Sequence, residues 1–151
     1  MQNSRTDGDI ESTYISSQVC DLNDFILQDY IGSGSFGKVY KVKEKKTGRI
    51  LAAKISIQAL YEDSTEEIQN LSREVNIISK LNHPSVLKFV AFSPFNFKNK
   101  RKPVIITEFA SNHSLEKLIS DERESKSNPN WNETRKLIII YGISNVIFTQ
   151  K

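Results

Sequence analysis

Residues 31–40 are Ile31-Gly32-Ser33-Gly34-Ser35-Phe36-Gly37-Lys38-Val39-Tyr40, a glycine-spaced loop running straight into an alternating segment. Glycines at that spacing let a backbone turn sharply and bring bare N–H groups close to phosphate oxygens, because no Cβ stands in the way. Several nucleotide folds share such a loop, so the residues that follow discriminate between them. Here Lys38-Val39-Tyr40-Lys41-Val42-Lys43 interleaves β-branched and aromatic residues with lysines at the period of a strand. A dinucleotide-binding fold needs a helix at this point. A Walker A loop needs one too. Gly32, Gly37 and Lys38 meet its pattern, but Val39 stands where Ser or Thr should hold a metal. A clamp of strand, loop and strand is the reading that remains.

This pattern resembles the glycine-rich loop of the protein kinases, G-x-G-x-x-G-x-V, matched without a gap by Gly32, Gly34, Gly37 and Val39. That family carries a lysine on its third strand. Leu51-Ala52-Ala53-Lys54-Ile55 supplies it, with Lys54 and Ala52 on one strand face and Leu51, Ala53 and Ile55 on the other. It also carries a glutamate on the following helix, a place taken by Glu74. Each piece alone has a plainer reading: a glycine turn, a lysine whose stem lies along apolar surface, a solvated helix face. Their order and spacing favour the kinase-like one.

The bulk properties set bounds. A chain of 151 residues has room for one ordinary domain, and 38% hydrophobic with 26% charged residues is a globular composition. The net charge of +3 makes no case for nucleic acid as the main partner. The single cysteine, Cys20, cannot form an intramolecular disulfide and suits a reducing compartment. With neither an apolar membrane span nor a signal-peptide core in the sequence, a cytoplasmic chain is expected.

Residues 1–23 are polar and expected to form a disordered leader. Phe25-Ile26-Leu27 and Tyr30-Ile31 open the first strand, and a charged turn with Gly48 at a positive φ separates the second from the third. Ser64-Thr65-Glu66-Glu67 has the form of a capping box. It opens a helix with Ile68, Leu71, Val75, Ile78 and Leu81 on one stripe, and Glu74 flanks that stripe rather than opposing it. Leu81-Asn82-His83-Pro84 ends the helix. His83 has no partner at metal-ligand spacing and reads as a loop-packing residue. Val86 to Phe92 and Val104 to Phe109 read as two more strands, joined by a loop with Lys98, Lys100, Arg101 and Lys102. That basic cluster reads as a solvated hairpin tip, with a phosphoinositide or import signal as its alternative. Leu115, Leu118 and Ile119 suggest a short amphipathic helix, residues 121–130 a polar linker, and Trp131, Leu137, Ile138 and Tyr141 another helix.

The resemblance, which covers residues 25–143, implies an α+β fold: a five-stranded antiparallel sheet with one helix as a kinase small lobe, followed by the beginning of a helical large lobe. It divides the chain into a leader over 1–23, small lobe and hinge over 24–110, and the start of a truncated large lobe over 111–151. It implies ATP as cofactor and transfer of the γ-phosphate to a protein hydroxyl, serine/threonine or tyrosine. Gly32, Ser33, Gly34, Ser35, Phe36 and Gly37 would then surround the phosphates, Ile31 and Lys38 would belong to the same cofactor site, and Val39 and Ala52 would pack against adenine. Lys54 would hold the α- and β-phosphates, Glu74 would pair with Lys54, and Ile78 and Phe89 would back that pair. Thr107-Glu108-Phe109-Ala110 resembles a hinge with Thr107 as a small gatekeeper, the Glu108 carbonyl and Ala110 N–H meeting adenine. The nearest resemblance, to the tyrosine-kinase-like branch, rests on a few helix and hinge residues; Asn112-His113-Ser114-Leu115 departs from the Gly-Gly-Ser-Leu that its members often have there by losing both glycines.

No aspartate follows Asp121, so the sequence has neither an H-R-D catalytic base nor a D-F-G aspartate for Mg²⁺, and no metal ligands are assigned. The 151 residues alone are expected to be inactive as a kinase. The alternative is a non-catalytic module that binds nucleotide or a kinase partner, and a third reading is a truncated product without function. The apolar run Leu137-Ile138-Ile139-Ile140-Tyr141 implies poor solubility or a bound partner.

Overall fold

The computed structural model describes residues 18–35, 37–59, 65–112, 114–126 and 131–149. Phe36, Ser64 and His113 lie outside the described residues, as do the side chains of Thr65, Glu66, Glu67, Ile68, Phe148 and Thr149. Five strands form one antiparallel sheet: β1 (Phe25–Gly34), β2 (Gly37–Glu44), β3 (Ile50–Ser56), β4 (Phe89–Ser93) and β5 (Val104–Glu108), in the order β1-β2-β3-β5-β4. Helix α1 (Thr65–Lys80) joins β3 to β4 and packs against β4. Helices α2 (Leu115–Arg123) and α3 (Glu133–Thr149) follow the sheet. The chain forms two compact units, one holding the sheet and α1 up to Asn82 with Lys88–Phe109, the other holding His83–Leu87 and everything from Ala110.

Strand alternation divides the sheet into a core face and a working face. Val42, Leu51, Ala53, Val104 and Ile106 are buried together with Leu22, Phe25 and Ala91. Opposed residues in antiparallel strands share a face. The pairs Val42↔Leu51 and Ala53↔Ile106 therefore build one apolar layer. Each fully buried Val or Ile in it contributes on the order of 1.5–3 kcal/mol. On α1 Val75 is fully buried and Leu71 and Ile78 are half-buried, as is Leu81 just past its end. Gly48 has φ 74°, and the turn it serves is closed by Gly48 N–H donating to the Glu44 carbonyl at 2.8 Å.

Four boundaries differ from expectation. Residues 18–23 are not part of a loose leader. Val19 bridges Phe92 in parallel, the Cys20 N–H donates to the Phe92 carbonyl at 2.8 Å, and Phe92 N–H donates to Gln18 at 3.0 Å. Leu22, on a 3-10 turn whose preceding Asp21 side chain accepts from Asn23 N–H, joins the core. The apolar residues here are few, but the β4 edge pairs their backbone whatever the side chains. The fourth strand starts at Phe89 rather than Val86, because residues 83–87 form a turn with Val86 N–H donating to the His83 carbonyl at 3.0 Å. Helix α2 runs to Arg123, beyond Asp121, held by a Lys117–Asp121 ion pair one turn apart. Helix α3 begins at Glu133, not Trp131, after Asn132 Oδ1 accepts from Arg135 N–H at 3.0 Å as a helix cap.

Candidate nucleotide site

The working face is fixed by register. Val39 opposes Lys54, Lys41 opposes Ala52, Ala52 opposes Thr107 and Lys54 opposes Ile105. Val39, Ala52, Lys54 and Thr107 therefore share the face opposite the buried layer. Val39, Ala52 and Thr107 are half-buried, and Lys54 is exposed. The strand that carries Lys54 is anchored by its neighbours Ala53, fully buried, and Leu51, at 3% exposure. A lysine flanked by core residues is aimed by them, since rotating it away would pull both from the apolar layer.

Below the end of the glycine loop lies a cavity of about 490 Å³. Ser35, Lys54, Ser56, Leu71, Glu74 and Ile105 are among its lining residues. The structure thus brings together three residues from three elements: the loop serine, the strand lysine and the helix glutamate. A cavity walled by one ammonium, two hydroxyls and a carboxylate over apolar sides can hold an anionic group against the lysine while the carboxylate orients it.

The three glycines do different jobs. A Cβ on Gly37 would lie 2.4 Å from the Ile55 carbonyl oxygen and 3.5 Å from Lys54 Cγ. This glycine is required by the protein's own backbone, since only without a side chain can β2 approach β3 beside the lysine stem. Around a Cβ on Gly32 or Gly34 there is nothing within 4 Å. Register shifts in β1 on either side of Tyr30 re-aim the strand just before Gly32, and Tyr30 stacks edge-on against Tyr40 with ring centroids 5.5 Å apart.

Glu108 is fastened in a way the sequence did not announce. Its Oε1 accepts from the Lys88 N–H at 2.9 Å, and its own N–H donates to the Lys88 carbonyl at 2.9 Å. The two bonds bracket the end of β5 against the start of β4. Thr107 Oγ1 donates to the Glu108 carbonyl at 3.1 Å. Ala110 falls in the other compact unit. Ile78 and Phe89 are half-buried, and Phe89 opposes Thr107 in the sheet. Among the described residues no cluster of three His, Cys, Asp or Glu could hold a metal.

Comparison with known proteins agrees with this geometry. A family model described as protein kinase domain matches residues 25–143. The chain is 37% identical over 97 residues to human NUAK family SNF1-like kinase 1, covering 64% of this chain and 14% of that protein. It is 32% identical over 101 residues to the serine/threonine-protein kinase TIO of Arabidopsis thaliana, 67% of this chain and 7% of the relative. It is 33% identical over 96 residues to the serine/threonine-protein kinase Aurora-1 of the same plant, 64% of this chain and 31% of the relative. The matched region is thus a minor part of each relative's length. With the glycine strand, the Lys54 register and the shared cavity in place, the chain belongs to the protein kinase family.

Proposed function

We propose that this chain forms the nucleotide-binding part of a protein kinase acting on serine or threonine hydroxyls. The observation that carries the reading is the single cavity lined by Ser35, Lys54 and Glu74 beside the open space at Gly32 and Gly34. In this reading the loop from Ile31 to Val39 covers the phosphates of ATP, Lys54 binds the α- and β-phosphates, and Glu74 orients the ammonium. Val39, Ala52 and Thr107 present an apolar surface to the base, and the Glu108 carbonyl accepts from its amine. The Lys88 bracket keeps that part of β5 in place. Bound ATP supplies the transferable γ-phosphate, and Mg²⁺ would neutralise the charge on its phosphates.

A serine/threonine acceptor is favoured because two of the relatives above carry that description in their names. Assignment to the tyrosine-kinase-like branch has only a few helix and hinge residues behind it, and the relatives above do not support it. For the 151 residues on their own we propose nucleotide binding without efficient transfer, since no aspartate follows Asp121 to act as base or metal ligand. The second reading is a non-catalytic module that binds nucleotide or a kinase partner. Incubation with Mg-ATP and a generic protein acceptor separates the two. Lys54-dependent phosphate transfer above background would establish an enzyme and overturn the module reading. Nucleotide binding without transfer is the result expected for these residues alone.

A further inference from the structure

The connection between β4 and β5 carries four cations in five positions: Lys98, Lys100, Arg101 and Lys102. No acidic residue stands between Glu74 and Glu108 in the sequence to offset them. A merely solvated tip needs no fixed shape, yet this one is built around Asn96. The Asn96 Oδ1 accepts from the Lys98 and Lys100 N–H groups at 2.9 and 3.1 Å, and the Asn96 N–H donates to the Lys100 carbonyl at 2.9 Å. Asn99 turns the chain at φ 55°, in the left-handed region that Asn tolerates. The base of the loop is tied to the end of β3. There the Ser56 N–H donates to the Pro103 carbonyl at 2.8 Å, and Lys102 Nζ donates to the Ile57 carbonyl at 2.7 Å. Phe97 packs against the core below. Lys102 thus serves the fold, whereas Lys98, Lys100 and Arg101 are exposed on a loop of fixed shape.

Two apolar side chains stand among these cations. Phe95, 39% exposed, precedes Asn96, and Ile57, 50% exposed, carries the carbonyl that Lys102 holds. Nucleic acid, an acidic protein segment and a bilayer are the anionic partners such a mixed surface can meet. Lysine is a compact, hydrated point charge on a flexible stem, ill-suited to two-pronged recognition of one carboxylate or phosphate, and two of the three exposed cations are lysines. The loop is the tip of a hairpin rather than a groove that tracks a polynucleotide. An anionic bilayer answers both components at once, with a diffuse negative potential for the lysines and an apolar boundary for Phe95 and Ile57.

We infer that residues 94–102, with Ile57 beside them, bind the surface of an anionic lipid bilayer, Phe95 and Ile57 at the headgroup boundary and Lys98 and Lys100 toward the anionic headgroups. Strand pairing puts this loop at the end of the sheet where the glycine turn lies, since Ser93 and Ile55 both oppose Val104 and Gly37 opposes Ser56. Binding therefore turns that end of the sheet toward the membrane. The contact needs no bound nucleotide, so the test is run without one.

Flotation of the 151-residue chain with vesicles of phosphatidylcholine, alone or mixed with phosphatidylserine, separates bound chain from any aggregate. The chain should float with the mixed vesicles only, and about 0.5 M salt should release it. Lys98→Ala with Lys100→Ala should weaken binding about 10- to 30-fold, and Phe95→Ser about 3- to 10-fold. Lys45→Ala with Lys46→Ala removes the same charge from the β2–β3 turn at the opposite end of the sheet and should leave binding unchanged. All these side chains are exposed, so circular dichroism of the variants should match that of the unaltered chain. Equal loss in the two lysine pairs would mean attraction to net charge alone, and overturns the loop as the contact. Failure to float, or flotation indifferent to phosphatidylserine, overturns it too. Capture by a single-stranded RNA homopolymer that exceeds vesicle binding and is lost with Lys98 and Lys100 assigns the loop to nucleic acid and overturns the membrane.

Discussion

Replacing Gly37 with alanine puts a methyl group 2.4 Å from the Ile55 carbonyl oxygen and 3.1 Å from its carbon. Real Cβ atoms do not approach that closely, so the strands must part by roughly half an ångström or more. The displacement falls on the Gly37↔Ser56 and Lys38↔Ile55 pairs, which close the β2–β3 ladder beside Lys54. Overpacking of this kind costs about 1–3 kcal/mol. With urea m-values of about 1–3 kcal/mol/M for small proteins, the midpoint should fall by about 1 M. The readout has to be local, because the single tryptophan, Trp131, belongs to the other compact unit. Hydrogen exchange of the β2 and β3 amides in a urea series serves. Gly34→Ala is the matched control: its Cβ meets nothing within 4 Å, so stability should stay within about 0.5 kcal/mol while nucleotide affinity falls. Equal stability of Gly37→Ala and Gly34→Ala would refute the claim that the two glycines serve different ends.

Three further outcomes are expected. Leu22→Ala should destabilise the sheet unit by about 2–5 kcal/mol in the same exchange assay, because Leu22 is a core residue; a change under about 0.5 kcal/mol would return residues 18–23 to a loose leader. Burial pushes the Cys20 thiol from 9.0 up to about 11, so at pH 8 its thiolate fraction is about 100-fold below that of an exposed thiol. Iodoacetamide labelling should be correspondingly slow and should quicken as pH rises toward 11; labelling at the rate of a small free thiol would show that Cys20 is not covered at the β4 edge. On α3, Leu137, Ile138, Ile140 and Tyr141 are all more than 60% exposed. Ile138→Lys with Ile140→Lys should lower binding of a hydrophobic dye and raise the soluble yield, and no change in either would show that this surface is already covered.

The sheet was legible because its signals are local and redundant. Alternation at Lys38–Lys43 and Leu51–Ile55, glycine at a turn needing positive φ, and a three-four stripe on α1 each point to one answer. The working face could be read from alternation alone, since Lys54 and Ala52 must share it once Leu51 and Ala53 are buried. What escaped was tertiary. Val19 and Cys20 make their main contacts through backbone groups, which no side-chain pattern encodes, and Leu22 alone is too short an apolar signal to promote a polar stretch into the core. The early residues Val86-Leu87-Lys88 look strand-like by propensity, but the turn at His83–Val86 uses the backbone otherwise. Glu108 reads as a hinge residue whose side chain hardly matters, whereas its carboxylate is half of the Lys88 bracket. The requirement for Gly37 was visible as a glycine, but its cause, the Ile55 carbonyl, belongs to another strand.

If Lys54 and the glycine loop together hold a nucleoside triphosphate, titration of the 151-residue chain with ATP beside a Lys54→Met variant separates the two proteins. Methionine keeps the apolar stem and removes the charge, so circular dichroism of the two proteins should match. A charged hydrogen bond contributes about 1.5–3 kcal/mol, so the variant should bind about 10- to 100-fold more weakly. Measurable binding of equal strength by the two proteins would contradict it.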